Sequence, residues 1–511
     1  MGHKEVSLKL PTDYTEEQLR EKIEKKLKIK EFSYQIEKKS LDARKRSAIY
    51  WQVLASVSSK WIRGGVPLAL APLNIPYRKR KKKAVVAGSG PAGFFCAYVL
   101  QKAGFNTTLI ERGRDVKKRA EGIREFEKTG LFNPAGNYAF GEGGAGTFSD
   151  GKLTSRSKRI AQERKFMLSA YINAGAPEEI GYMAHPHLGS DNLKKIVKRL
   201  RAEFLNIGGS ILFETLLEDL KIENKRVHAA ITASGEIEAD ELIVAPGNSA
   251  YETYRMLIRK GVTFRTKGFA IGCRIEHPQE IINSAQWGQK SLPGVKAAEY
   301  RLTSRGDGNL PVYTFCMCPG GRIIPTSAYK NANIVNGMSP YNRDGKFANA
   351  ACVAGISLDK LNGRETSPLE ALDWLENLEG RFYEYSDGFK APFCSIKDFI
   401  KRDGKSSIVE SSYPLGLAPA ALWDLLPTEV SGSIREGLKD FSRTIREFET
   451  GIIMGLDSKS SSPIRVLRGE NYLPDGFENL YVAGEGSGHS GGIISSGADG
   501  IKAAMAIIGK N

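Results

Sequence analysis

The stretch Lys83-Ala-Val-Val-Ala-Gly-Ser-Gly-Pro-Ala-Gly93 decides how this chain folds. Residues 84–87 form a short, apolar, β-prone run, the pattern of a buried parallel strand. Gly88, Gly90 and Gly93 follow at G-x-G-x-x-G spacing. In such a turn the first glycine permits the tight bend, the second lets a pyrophosphate approach the backbone, and the third lets helix and strand pack closely. Pro91 suits a first helical turn, where a missing N–H costs nothing. The helical pattern continues through Phe94, Phe95, Ala97, Tyr98 and Leu100, and Gly104 stands where a C-terminal cap belongs. A second strand, 107–110, ends on Glu111, about 20 residues from the turn, where a carboxylate can meet a ribose diol. Strand, turn, helix and acid fall in order, so the unit predicts a dinucleotide site.

The far end of the chain repeats the theme. Residues 480–483 read as a buried strand, followed by Gly484-Glu-Gly-Ser-Gly-His-Ser-Gly-Gly-Ile493 and a helix over 495–508. Helix starts attract negative charge. The start after Gly492 suits the N1–O2 edge of a reduced flavin, and Glu485 is placed to accept from a ribityl hydroxyl. An NAD enzyme needs no second half-site so far along the chain. A long cofactor with a ribityl arm does, which selects FAD.

Between these ends, Gly141-Glu-Gly-Gly-Ala-Gly-Thr-Phe-Ser-Asp-Gly-Lys152 cannot build a core. Its glycines expose backbone N–H groups, and Thr147 and Ser149 add hydroxyl donors, the composition of a nest for an anion or a planar ring. Lys152 is a candidate cation beside the flavin. Helices are expected at 114–128, 193–207, 367–383 and 430–450. Strands are expected at 210–216 and 241–245, the latter ending in Ala245-Pro-Gly247, with a hairpin over 226–238. From about Phe264 the pattern changes to short strands: 270–276, 297–303, 312–317, 323–325 and 334–335. They predict an antiparallel sheet inserted into the nucleotide fold. Residues 413–427 read as a Pro- and Leu-rich connector. Cys316 and Cys318 lie within the insert, where alternation puts both thiols on one face. Neighbours on one strand do not form an easy disulfide, and no second cysteine pair completes a metal site. Cys318 is a candidate facing the flavin.

The chain has 511 residues and a net charge of +16. Residues 1–83 hold 21 Lys+Arg against 9 Asp+Glu, a net of +12, and the other 428 hold 53 against 49, or +4. The basic character therefore belongs to an N-terminal unit. There, strands at 5–10, 32–37 and 49–57 and a helix over 15–27 give a β-α-β-β order, half of a ferredoxin-like layer. Residues 61–76 read as a linker, and six basic residues follow at 78–83 as a solvated tether or an electrostatic contact for nucleic acid or an acidic partner. No run approaches 18 apolar residues, so no membrane span is expected. The N-terminus lacks a signal peptide's apolar region, and six cysteines do not make a disulfide framework, so a cytoplasmic setting is expected.

The sequence resembles FAD-dependent dehydrogenases of the two-dinucleotide-binding type, the NAD(P)/FAD-dependent oxidoreductases of uncharacterised bacterial flavoproteins. The matching stretches are Ser40-Leu-Asp-Ala-Arg-Lys45, 88–93, 143–152, 269–278, Thr314-Phe-Cys-Met-Cys-Pro-Gly-Gly321, Ser461-Ser-Pro463 and 484–492. The resemblance implies FAD binding at the glycine positions and at Glu111. Pro246 stands where Thr is commoner, and His489 where Tyr is, which makes His489 a candidate proton donor.

Taken together, the expected fold is α/β: a Rossmann-like, glutathione-reductase-like FAD-binding domain (84–263 and 456–511), an inserted, mostly antiparallel β substrate domain (264–455), a basic α+β unit (1–76) and a basic linker (77–83). Cofactor contacts are expected at Gly88, Ser89, Gly90, Pro91, Ala92, Gly93, Glu111, Arg112, Gly144, Gly146, Thr147, Ser149, Gly151, Leu216, Ala245, Gly247, Gly484, Glu485, Gly486, Gly491, Gly492 and Ile493. Catalytic candidates are Lys152, Cys318 and His489. The expected activity is transfer of hydride or electrons between a donor and an unknown small-molecule acceptor through FAD. Apart from the 484–493 turn already assigned to FAD, no second G-x-G-x-x-G falls in a strand–turn–helix setting, so NAD(P)H would bind only transiently. Two alternatives stand beside it: an RNA-modifying flavoenzyme that uses residues 1–83, and a flavin-binding protein-interaction module.

Overall fold

A computed structural model describes residues 1–65, 70–155, 157–305, 310–404 and 409–511. Part of the expected linker, 66–69, lies outside the described residues. The apolar run at the start of the dinucleotide motif forms the strand Lys83–Ala87, central in a five-stranded parallel sheet. The order across this sheet is Leu480–Val482, Glu241–Val244, Lys83–Ala87, Asn106–Ile110 and Ser210–Leu212. The chain reverses direction of travel across the sheet at Lys83–Ala87, and such a switch point opens a crevice at the carboxyl ends of the strands. Both glycine-rich turns leave from that edge.

Two helices cover one face. Pro91–Lys102 follows the motif, and Ile493–Lys510 packs along it. Their approach depends on missing side chains. A Cβ on Gly93 would lie 1.8 Å from the Gly88 carbonyl oxygen, and one on Gly500 would lie 1.9 Å from that of Ala92. Gly104 does sit just past the first helix, with φ 91°.

The second sheet carries Thr303–Ser304, Val312–Pro325, Phe347–Ile356, Phe269–Pro278, Ile452–Asp457, Ala391–Ser395 and Leu417–Pro419 in that order, with Val335–Met338 beside Val312–Pro325. All pairs are antiparallel except Ala391–Ser395 with Leu417–Pro419. The helix Thr428–Thr444 packs on it. Several expectations are corrected here. Residues 297–302 are irregular, and 312–317 and 323–325 are one strand. The 210–216 strand stops at Leu212, because Glu214 turns to φ 53°. The connector 413–427 holds a strand and the helix Leu422–Leu425. Phe347–Ile356 and Ile452–Asp457 escape the sequence pattern because almost every residue is buried, which erases the alternation of a half-buried strand.

The N-terminal unit has the expected β-α-β-β order. Its strands lie as Gly2–Leu10, Tyr50–Ser59 and Ser33–Asp42, antiparallel throughout. Thr15 and Gln18 form a capping box on the helix Glu16–Leu27. Backbone bonds from Lys39 N to Tyr182 O (2.8 Å) and from Ala184 N to Lys39 O (2.9 Å) join this unit to the nucleotide fold. The basic run is not a free tether. Arg78 N and Arg80 N donate to Ala103 O and Gly104 O, and the Arg80 guanidinium lies over the Phe105 ring. Among the described residues, no helix is long and apolar enough to cross a membrane.

Candidate functional site

The crevice at the switch point continues into a cavity of about 300 Å³ between the two sheets. Both glycine turns line it. Of the residues expected to hold a cofactor, Gly88, Gly90, Pro91, Ala92, Glu111, Arg112, Gly144, Gly146, Ser149, Gly151, Leu216, Ala245, Gly247, Gly484, Glu485, Gly492 and Ile493 are on its wall. Ser89, Gly93, Thr147, Gly486 and Gly491 are not on it; Ser89 faces Glu111 and Gly93 serves helix packing.

Glu111 is more than a ribose acceptor in waiting. Its buried carboxylate accepts from Ser89 N (2.9 Å), Ser89 Oγ (2.7 Å), Gly113 N (2.9 Å) and Gly141 N (3.0 Å). One side chain thus ties the motif turn to the 141–152 loop. That loop is shaped from behind by Arg119. Its fully buried guanidinium donates to the carbonyls of Asn137, Tyr138, Glu142 and Gly144 at 2.7–3.0 Å. Burial brings its pKa down to about 10, so it stays cationic at neutral pH. The expected hydroxyl donors are corrected: Thr147 Oγ1 donates to Glu142 O and Ser149 Oγ to Gly146 O, so both brace the loop itself.

The second turn is held by Asp499, whose carboxylate accepts from Gly484 N (2.8 Å) and pairs with Arg468 (2.6 Å). Burial raises the Glu485 carboxyl to about 7, partly offset by the Gly492 N–H and Lys267. A carboxyl raised by folding favours the fold while protonated. Its contribution is complete below the ordinary carboxylate range and is lost as pH rises through about 7. Glu485→Gln is expected to flatten that loss, read as thermal midpoints between about pH 5 and 8. Parallel curves for the two proteins would refute it.

Across the cavity stand residues of the second sheet, and Lys152 of the 141–152 loop reaches over to them. Lys152 Nζ donates to Met317 O and lies 4.0 Å from Asp150, which Arg343 already holds at 2.6 Å. Arg274, wholly buried, donates to Asn349 (2.9 Å), Asn336 (2.9 Å), Asp457 (3.0 Å) and Cys316 O (2.6 Å). Cys318 lies beside it and burial raises its thiol pKa. Lys459, also on the wall, pairs with the buried Glu379 at 2.7 Å, and Tyr251 and Ser458 donate to the same carboxylate oxygen. His489 is not on the wall. Its Nε2 lies 3.0 Å from Val466 O, and burial with Arg468 nearby lowers its pKa. Lys152 and Cys318 therefore meet at the cavity and His489 does not join them.

Sequence reasoning missed Arg119, Arg274, Lys459, Glu379 and Asp499. A signal existed for one: Arg119 falls on the apolar face of its helix, in phase with Val116, Ile123 and Phe126.

The wall fits a long dinucleotide. The helix starts at Gly90 and Gly492 carry no side-chain cap. A Cβ added at Gly247 or Gly492 would meet nothing within 4 Å, so the backbone there is open. A family model described as "FAD-dependent protein, C-terminal domain-like" matches residues 268–460. An uncharacterized protein of Clostridium beijerinckii is 39% identical over 437 residues, 84% of this chain and 81% of that one. This chain belongs to a family of FAD-dependent proteins. Its cofactor is FAD. A domain model of unknown function matches residues 2–58 of this FAD-dependent protein. Solved structures resemble it loosely. Glycine oxidase from Bacillus cereus is 12% identical, covering 84% of this chain and 96% of that one, with a TM-score of 0.34. L-proline dehydrogenase from P. horikoshii is also 12% identical, covering 85% and 95%, with a TM-score of 0.36.

Proposed function

We propose that the enzyme moves a hydride or an electron pair between a transient donor, NAD(P)H first among candidates, and a small molecule admitted to the same cavity. FAD supplies the redox chemistry; the protein binds, orients and tunes it. The observation that carries the reading is the meeting of the two glycine turns, separated by almost the whole length of the nucleotide fold, on one cavity wall. Gly88, Gly90 and the first turn of Pro91–Lys102 would hold the pyrophosphate. Glu111 would meet the adenosine ribose, Glu485 the ribityl arm, and the start of Ile493–Lys510 the pyrimidine edge. Lys152, at the end of the 141–152 loop, supplies positive charge where that loop meets the second sheet. The strand order supports a glutathione-reductase-like nucleotide domain, with 84–263 and 456–511 as its parts and 264–455 as the insert. The order of the N-terminal strands supports a ferredoxin-like half-layer. The comparisons lend no support to an RNA-modifying role, and basic residues at the domain junction are engaged with the nucleotide fold.

Two measurements test this. Purified protein should be yellow and release FAD on unfolding, identified by mass. Anaerobic stopped-flow mixing with NADH and with NADPH should bleach the flavin band with at least one. A colourless protein that takes up no FAD would sink the reading. An unchanged oxidised spectrum with both donors would exclude a nicotinamide donor.

A further inference from the structure

Two thiols, Cys316 and Cys318, share the wall of the cavity that both glycine turns close. On a regular strand, residues two apart sit about 6.5–7 Å from each other, at the limit for a disulfide. The strand Val312–Pro325 is not regular there. It advances from Phe315 to Cys318 while its partner advances only from Ala351 to Asn349. Three steps on this strand face two on its partner, so a bulge falls in the stretch that holds both cysteines. Cys316 itself has φ 43°, a left-handed conformation that residues with a Cβ seldom adopt and that concentrates at functional sites. Cys316 is exposed and Cys318 is buried, and both line the cavity.

Chemistry surrounds the pair. Cys318 Sγ lies 3.3 Å from the Cys316 carbonyl oxygen and 3.4 Å from Arg274 Nη2. Lys152 binds the carbonyl of Met317, the residue between the two thiols. Burial raises both thiols, and Lys152 and Arg274 pull them part of the way back toward the thiolate, the reactive species in exchange. The other four cysteines, 96, 273, 352 and 394, are buried and absent from this wall.

We infer that Cys316 and Cys318 form a dithiol–disulfide couple that exchanges an electron pair with FAD. The inference rests on the binding of FAD in this cavity. In the oxidising direction both S–H bonds break and one S–S bond forms. FAD takes up the two electrons and both protons, giving FADH2, so atoms and electrons balance. In reverse, FADH2 returns them and the disulfide opens.

The test is an anaerobic dithionite titration of the FAD-loaded protein, with free thiols counted before and after by alkylation in denaturant and intact mass. The oxidised protein is expected to alkylate at four cysteines and the reduced protein at all six. Full reduction is expected to consume two electrons beyond the two that the flavin takes. Cys316→Ser and Cys318→Ser are each expected to take up only the flavin's two. Should either variant fail to fold, the thiol count of the unaltered protein decides alone. FAD-loaded protein that alkylates at six cysteines in every redox state overturns the couple. Protein that holds no FAD overturns the couple and the cofactor site together.

Discussion

Glu111→Ala is expected to destabilise the protein by about 3–5 kcal/mol as well as weakening FAD retention. The carboxylate accepts from three backbone N–H groups and one hydroxyl, all buried. Removing it leaves those donors without a partner in a place water reaches poorly, and each orphan costs about 1–3 kcal/mol. The groups belong to three separate turns, at Ser89, Gly113 and Gly141, so the cofactor loop loses its anchor along with its charge. Glu111→Gln keeps one acceptor oxygen and brings in a donor facing other donors, so it is expected to recover only part of the loss. A side chain that served a ribose alone would behave differently. Its removal would lower FAD affinity about 10- to 100-fold for a lost 1.5–3 kcal/mol and leave the FAD-free protein's denaturant midpoint unchanged. Unfolding titrations of FAD-free Glu111→Ala separate the two. A midpoint matching the unaltered protein would refute the bracing role.

The contrast between Glu111 and its partners shows what a sequence discloses. The turn, the helix and the acid at the strand end are local features, each set by a few adjoining residues, and all were legible. So was the second turn at Gly484, because it follows its own strand. The partners of Glu111 were not, since Gly141 reaches it only after the chain has made a further helix. Arg119 was hidden for another reason. A charged residue reads as solvent-facing, and only the loop carbonyls that converge on it make its burial tolerable. Phe347–Ile356 shows the limit of periodicity: an Ala-rich strand covered on both faces carries no alternation to read. Near Cys316 and Cys318 a bulge interrupts the regular strand, and no local signal in the sequence announces it. The wall across from the glycine turns is built from ion pairs distant in sequence, Arg274 with Asp457 and Lys459 with Glu379. Nothing local announces them.

Arg274→Met is expected to cost about 3–5 kcal/mol, the loss typical when one partner of a buried ion pair is removed. The substitution leaves Asp457 as an uncompensated buried carboxylate and takes the donor from Asn336, Asn349 and the Cys316 carbonyl. Burial already pushes the Asp457 pKa up, and Arg274 is what pulls it back. Without that guanidinium the carboxyl takes a proton more readily, so the variant is expected to lose least at acid pH and most at neutral pH. Replacing both partners removes the buried charge altogether. Arg274→Met with Asp457→Leu is therefore expected to regain part of the stability lost by the single variant, giving a coupling of about 1–3 kcal/mol in a double-mutant cycle. Recovery of stability need not bring recovery of function. The double variant still lacks the cation beside Cys318, so thiol oxidation by bound FAD should remain slow while the denaturant midpoint rises. Additive losses in the cycle would mean that the two side chains act independently, and the ion pair would then not be what holds this wall of the cavity together.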